Sequence, residues 1–258
     1  MFCFHKAPHG ALFVLWQTLL YGLLAFTWPP AVHAQSEVAT VRYVLDGDTV
    51  ILSDDRSVRL IGINAPELGH KGAADEPFAA AARDRLRQLV LGTPVRLEFE
   101  DEHRDRYGRW LAHLWLTDGR SVEEILLANG LASVVAIPPN VRDTARLQAV
   151  ETVARRARLG LWGHRYSEPM DIGDGIPEPG FRFVRGRVTH VGKSRKYIYL
   201  DLGRQFALRI RQEDWDRYFR GRPDAWHGAL LMARGWVSER DGRAQMAIGH
   251  PAMVERLP

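Results

Sequence analysis

Asp46-Gly47-Asp48-Thr49 and, shortly after it, Arg59-Leu60-Ile61-Gly62-Ile63-Asn64-Ala65-Pro66-Glu67 bring carboxylates, an arginine and an amide into one hairpin and its exit. A later run, Asp105-Arg106-Tyr107-Gly108-Arg109, can supply a second arginine. Oxygen donors suit a hard cation. Arginine forks hold phosphate oxygens and neutralise charge that grows on them. The chemistry open to such a set is metal-assisted attack on a phosphodiester. Each piece alone reads more plainly: Asp-Gly-Asp as an ordinary turn, Arg59 as a cross-strand pair, Glu67 as a cap, 105–109 as a charged loop. Their mutual spacing is what makes the set informative. His70 and His103 lie nearby, but neither has a His or Cys partner at ligand spacing, so both read as loop histidines.

The elements that must hold these residues are short. Alternation predicts strands over 41–45, 50–52 and 58–63, with Asp46-Gly47 as a hairpin turn. A helix is expected from 77 or 78 to 91, with Phe78, Ala82, Leu86, Leu89 and Val90 on one face and Gly92 ending it. Strands follow at 95–99 and 111–116. Ser121 with Glu124 reads as a capping box for a short helix ending at Gly130. A weak strand at 132–135 and a helix over 143–159 complete this half. Five short strands with intervening helices suggest a small Greek-key barrel of the OB type, in a chain that is mainly β with α (α+β).

Residues 165–180 are rich in Pro, Gly and acid and read as a linker. Strands are expected again over 181–191, 196–202, 205–210, 230–237 and 244–248, with a helical piece near 213–219, so that a second OB-like barrel is expected over 181–258. Alternation puts Ile198, Leu200 and Leu202 on one face, with Tyr197, Tyr199 and Asp201 on the other. Arg209 and Arg211 would share that outer face if the two strands pair. Tyrosines among arginines have the composition of a platform for single-stranded nucleic acid, and equally of a solvated sheet face with snorkelling arginines.

The N-terminus bears on where the chain works. Lys6 precedes an uncharged, largely apolar run over 11–28, Pro29-Pro30 ends it, and Val32-His33-Ala34 offers small residues for a signal peptidase. The expectation is cleavage after Ala34, giving a periplasmic or secreted protein with no stable membrane association. An uncleaved membrane anchor is the alternative, because the run is nearly long enough to span. The single cysteine, Cys3, falls in this leader, so no disulfide is expected afterwards. The chain carries 35 Lys+Arg against 31 Asp+Glu, a mildly basic balance compatible with an anionic partner. The division expected is 1–34 signal peptide, 35–164 first domain, 165–180 linker and 181–258 accessory domain.

From 39 to 162 the chain resembles the staphylococcal-nuclease-like (thermonuclease) family. The resemblance rests on Val44-Leu45-Asp46-Gly47-Asp48-Thr49-Val50, the run from Val58 to Glu67, Asp105 to Arg109, Gly130-Leu131-Ala132 and Leu159-Gly160-Leu161-Trp162, in the family's order. It implies an OB-fold barrel and calcium-dependent cleavage of DNA and RNA. It further implies Asp48 as a direct calcium ligand, Asp46 as its support and the Ala65 carbonyl as another ligand. Arg59 and Arg109 would grip the scissile phosphate, Glu67 would be the general base, and Arg106 and Tyr107 would contact a neighbouring phosphate. Two departures stand out. The family's second metal-binding aspartate falls on Asn64, which removes a negative charge and opens the site to weaker binding or another divalent ion. The nucleotide-pocket tyrosines are missing from Ser133-Val134-Val135-Ala136-Ile137, leaving Trp110 or Trp115 as the aromatics that could substitute. These departures keep a rival open: a non-catalytic nucleic-acid-binding or envelope-interaction protein, or a purely structural envelope module. The ending, Arg234 to Val237 with Gly249 to Glu255, also resembles the carboxy-terminal OB-type domains that follow some bacterial nuclease-like domains.

Overall fold

The computed structural model describes residues 36–69, 72–240 and 242–258. The expected leader, its cleavage site, Cys3 and His70 lie outside the described residues. Among the described residues, no helix is long and apolar enough to cross a membrane.

The first half is a closed barrel. Its strands are β1 (Ser36–Val44), β2 (Thr49–Leu52), β3 (Ser57–Leu60), then β5 (Pro94–Glu98) and β6 (Trp110–Trp115), in the order β1-β2-β3-β6-β5 and back to β1. Closure depends on β1 being long enough to serve two partners. Its first part pairs with β5 and its second with β2, and a register shift between Val41 and Tyr43 bends it from one to the other. β3 and β6 run parallel, with Arg59 opposite Leu111. Val41, Val50, Val58, Leu60, Val95, Leu97, Ala112 and Leu114 point inward and are fully or almost fully buried. Three helices cover this core: α1 (Ala79–Val90), α2 (Val122–Ala128) and α3 (Thr144–Arg156). α1 turns Ala82, Leu86 and Val90 to the barrel.

The strand expected over 58–63 is two strands. A turn at Ile61-Gly62, with Gly62 at φ 82°, separates β3 from β4 (Ile63–Asn64). β4 leaves the barrel and pairs with β7 (Ser133–Val134), Asn64 opposite Ser133. The capping box is only half made. Ser121 caps α2 by accepting from the Glu124 amide at 3.2 Å, but the Glu124 carboxylate pairs with Arg146 instead of reaching back. Glu123 takes its place in the local network, accepting from Ser121 Oγ and the Leu114 amide, both at 2.8 Å.

His113 is buried on β6 beside three acids. Its Nε2 lies 2.7 Å from Glu100 and 3.7 Å from Asp143, and its Nδ1 lies 3.8 Å from Glu123. Burial by itself lowers its pKa, but the Glu100 hydrogen bond and the charges of Glu123, Asp143 and Glu100 outweigh burial and hold it above the ordinary histidine value. A raised folded value means this stabilisation is complete below the unfolded histidine pKa and is lost as pH rises through the folded one. His113→Gln should therefore lower unfolding free energy by on the order of 3 kcal/mol at pH 6. Urea melts should show the deficit shrinking toward pH 9, and a deficit independent of pH would assign His113 a neutral packing role.

The second half repeats the strand order of the first. After the short β8 (Met170–Asp171) come β9 (Gly180–Arg187), β10 (His190–Lys193), β11 (Tyr197–Asp201), β12 (Phe206–Arg211), α4 (Gln212–Tyr218), β13 (Leu230–Arg240), β14 (Arg243–Ala247) and β15 (Val254–Arg256). The sheet runs β10-β11-β12-β14-β13-β9-β8, with β15 also on β13. β9 and β10 are consecutive in sequence, interrupted only at Val188-Thr189, so one bent strand serves both β13 and β11, as β1 serves β5 and β2. β12 and β14 are parallel, as β3 and β6 are.

The segment expected to be a linker is packed. Ser167 Oγ donates to the Leu161 carbonyl at 2.8 Å, and β8 pairs with β9. The described residues from Ser36 to Pro258 fall within one compact unit. Val135 and Ala136 lie in the core of the second half. Arg234 of β13 reaches Glu151 of α3 in a buried ion pair at 2.8 Å, and the same carboxylate oxygen accepts from the Val134 amide. Replacing either member of such a pair leaves the other charge buried alone.

Candidate active site

The turn between β1 and β2 is Asp46-Gly47-Asp48. Asp46 Oδ1 accepts from the Asp48 amide at 3.0 Å, an Asx-type turn that fixes the loop from within. Gly47 is required by space: a Cβ there would sit 2.5 Å from Ala65 Cβ and 2.6 Å from Ala82 Cβ. The loop therefore rests directly on α1 and on the exit of β4. That contact turns Asp48 inward, where it is 3% exposed.

Asp48 is the hub. Its Oδ2 accepts from the Ala65 amide at 2.7 Å and pairs with Arg59 at 2.5 Å, and its Oδ1 accepts from Thr49 Oγ1 at 3.1 Å. Burial pushes its carboxyl up; Arg59 opposes this, Asp46 adds to it, and the value reaches about 7. Arg59 stands opposite Thr49 in the β2–β3 register. Its second nitrogen donates to Asn64 Oδ1 at 3.1 Å, and Asn64 Nδ2 donates to the Ala65 carbonyl at 3.2 Å. Asp46, Asp48, Arg59, Asn64 and Ala65 are thus brought into one cluster. Its side-chain and carbonyl acceptors are all oxygens, which is the donor chemistry of a hard cation, but only two are acidic. Among the described residues, no group of three or more His, Cys, Asp or Glu could hold a metal.

Arg109 approaches from the other side. Asp105 accepts from its Nε at 2.7 Å and from the amides of Tyr107 and Arg109, so one carboxylate shapes the loop and aims the guanidinium. Burial raises the Asp105 carboxyl, but these bonds and the Arg109 charge hold it below its ordinary value. Arg109 also lies 3.4 Å from Thr49 Oγ1. Thr49 thereby touches Asp48 and Arg109 at once. Tyr107 is 69% exposed, with Arg106 bonded to its hydroxyl at 2.6 Å and 4.7 Å above its ring.

Glu67 follows Pro66 on an exposed loop. Its carboxyl is raised by desolvation and then by Asp46; Arg59 opposes them, with lesser effects upward from Glu76 and downward from Arg109. The loop is anchored by Glu76, whose Oε2 accepts from the Glu67 amide at 2.9 Å and from Tyr166 Oη at 2.8 Å. Arg182 of β9 lies 3.6 Å from the other Glu76 oxygen. Burial, followed by the charge of Glu76, pushes the Tyr166 phenol up, so it remains a donor. Thr49, Glu76 and Tyr166 were not singled out from sequence. Thr49 carried a signal, since it closes the Asp46 motif; Glu76 and Tyr166 meet only through the fold.

The aromatics that could substitute for the missing tyrosines, Trp110 and Trp115, are each faced by two arginines. Arg56 and Arg104 lie over Trp110 at 5.4 and 4.3 Å, and Arg96 and Arg146 over Trp115 at 5.0 and 5.1 Å. Val135 and Ala136, in the segment that lacks those tyrosines, are committed to the core of the second half. His103 packs against Phe99 at 5.4 Å and has no part in the cluster.

The family model of the staphylococcal nuclease homologue matches residues 57–164. The thermonuclease of Staphylococcus intermedius is 33% identical over 131 residues, covering 50% of this chain and 77% of that protein. An uncharacterized endonuclease of Escherichia coli O157:H7 is 32% identical over 143 residues, covering 54% of this chain and 85% of that protein. Endonuclease YncB of Bacillus subtilis is 34% identical over 128 residues, covering 48% and 60%. The chain belongs to the staphylococcal nuclease homologue family. Membership supports a nuclease function for the cluster. The nuclease-homologue match contains Arg59, Asn64, Glu67 and Arg109 and ends before β8, so the sheet of the second half lies beyond it.

Proposed function

We propose that this protein is an exported, divalent-cation-dependent nuclease that hydrolyses phosphodiester bonds of DNA, RNA or both. The observation that carries the reading is that Arg59 pairs with the buried Asp48 while Arg109 reaches Thr49, whose hydroxyl donates to that same carboxylate. One guanidinium from β3, a second from the loop before β6, and an acidic, oxygen-lined cluster frame one spot. Export rests on Lys6, the apolar run after it and Val32-His33-Ala34.

The donor set fits a hard cation. A buried carboxyl raised to about 7 beside a second carboxylate is a group that gains from a positive charge. Asp48, Asn64 Oδ1 and the Ala65 carbonyl would hold the ion with Asp46 in support. Calcium is the first candidate; when bound, the ion supplies Lewis-acid polarisation of a phosphate oxygen. Arg59 and Arg109 bind the non-bridging oxygens and stabilise the charge that grows on them. Glu67 takes or orients the proton of the attacking water. Arg106 and Tyr107 hold a neighbouring phosphate.

Asn64 is where this chain differs from a three-carboxylate site, and its amide is engaged by Arg59 and the Ala65 carbonyl. That engagement favours the second reading, a nucleic-acid-binding protein whose nuclease site is degenerate. Asn64→Asp decides how much charge matters. Calorimetric titration should show calcium bound about tenfold or more tightly by the variant, since affinity follows ligand charge. The companion assay follows a fluorescent single strand with calcium, magnesium, manganese or chelator. Cleavage that requires an ion supports the nuclease; binding without cleavage under every ion, in both proteins, supports the degenerate site.

A further inference from the structure

We infer that the second sheet carries its own binding site for single-stranded nucleic acid, in a groove across β11, β12 and β14. The inference rests on the nuclease reading for its biological sense, but not for its geometry. Tyr197 lies opposite Arg211 and Tyr199 opposite Arg209, while Ala207 sits beside Gln245 of β14. The other faces of these strands are spoken for: Ile198, Leu200, Leu208, Ile210 and Met246 are buried in the core. A one-residue slip would bury the tyrosines and expose that core, so the packing pins this face outward. The result is a groove of about 310 Å³ lined by Tyr197, Tyr199, Arg209, Arg240, Arg243 and Gln245, with Ala207 in its floor.

The chemistry of the lining selects the ligand. The tyrosine rings are 6.2 Å apart and half-buried, about the separation that alternate residues of a strand impose. Arg209 lies 4.8 Å from the Tyr197 ring, and so braces one aromatic while keeping a cation in the groove. Ala207 and Gln245 between the two walls leave room for a flat group. Arg240 and Arg243 stand on the far side, and Arg195 and Lys196 are exposed immediately before Tyr197. Asp201, which alternation places on the same face, is paired with Arg243 at 2.9 Å and His190 at 3.1 Å. Aromatic faces between rows of cations suit unpaired bases on a phosphate backbone; a duplex hides its base faces. Arg211 is at the margin, paired with Glu213 at 2.9 Å. The face lies outside the residues that match the nuclease family, so it would hold a polymer while the first barrel cuts it, raising the local concentration of scissile bonds.

The test is fluorescence anisotropy of the purified protein with a labelled 20-nucleotide oligothymidylate in chelator, so that cleavage plays no part. Tyr197→Ala with Tyr199→Ala should weaken binding at least tenfold, and Arg209→Glu should weaken it at 50 mM salt more than at 200 mM. Tyr197→Phe with Tyr199→Phe, which keeps the rings, should bind as the wild type does. Cleavage of a trinucleotide should be unchanged in all three variants, which also shows that they fold, while KM for a long single strand rises in the first two. Unchanged affinity in both the alanine and Arg209→Glu proteins overturns the site. Equal loss for a matched duplex overturns the single-strand assignment. Failure to cleave with oligothymidylate binding intact, and still dependent on the tyrosines, sinks the nuclease reading and leaves this face standing.

Discussion

Arg59→Ala should lower kcat by about 10²–10³-fold, the usual cost of removing one preorganised donor from a developing oxyanion. It should also destabilise the protein, because Arg59 has two tasks. It neutralises Asp48 at 2.5 Å and satisfies Asn64 at 3.1 Å. Removing it strands a buried carboxylate, at a cost of about 3–5 kcal/mol. The pH dependence separates the tasks. Asp48 has a folded value of about 7, above its unfolded value of 3.8. Its contribution to stability is complete below the unfolded value and is lost as pH rises through the folded one. Without Arg59 the folded value rises further. The deficit of the variant in chelator should therefore be small at pH 5, where the carboxyl is protonated in both proteins, and large at pH 8. Denaturant melts at the two pH values measure it. Arg59→Lys should recover most of the stability and little of the turnover, since an ammonium neutralises charge but lacks the guanidinium fork. Wild-type kcat in Arg59→Ala, with melts unchanged, would remove Arg59 from both tasks.

What could be read from sequence was what is local. The hairpin at Asp46-Gly47, the faces of β11 and β12 and the apolar stripe of α1 follow from periods of two and 3.6 residues, and the structure keeps them. Boundaries failed where a special backbone conformation intervenes. The run 58–63 is apolar enough to read as one strand, yet Gly62 turns it and sends Asn64 to a different sheet. Helix α1 begins at Ala79 because Phe78 adopts a left-handed conformation that no periodicity announces. The linker failed for another reason. Its Pro, Gly and acidic residues look unstructured, but β8 pairs with the next strand, β9, and Tyr166 gains a partner 90 residues away. The site divides the same way. Its first residues were legible because they cluster in one hairpin. The anchoring of Glu67 through Glu76 and Tyr166 was not, because Tyr166 lies 90 residues from Glu76. The missing tyrosines also have a structural counterpart: Val135 and Ala136 are used to pack the second half.

Glu67→Gln should reduce kcat by about 10²–10⁴-fold, the range for losing a positioned general base. Substrate affinity should change little, because Arg59 and Arg109 are untouched and glutamine keeps the shape of the side chain. The pH profile gives the stronger test. Desolvation, Asp46 and Glu76 hold the Glu67 carboxyl above its ordinary value, so the ionised base forms at a higher pH than for a free glutamate. The wild-type rate should climb with pH along an acid limb displaced upward, and the glutamine variant should lose the part of that limb that belongs to Glu67. Position matters as well as charge. Glu76 holds the Glu67 amide, and is itself held by Tyr166 and faced by Arg182. Tyr166→Phe removes one hydrogen bond and leaves every residue of the cluster in place. It should lower kcat by about tenfold, the effect of a small misplacement of a reacting group, without abolishing the acid limb. A glutamine variant with full turnover and an unchanged limb would transfer the proton to another group, and Tyr166 would then be a structural contact alone.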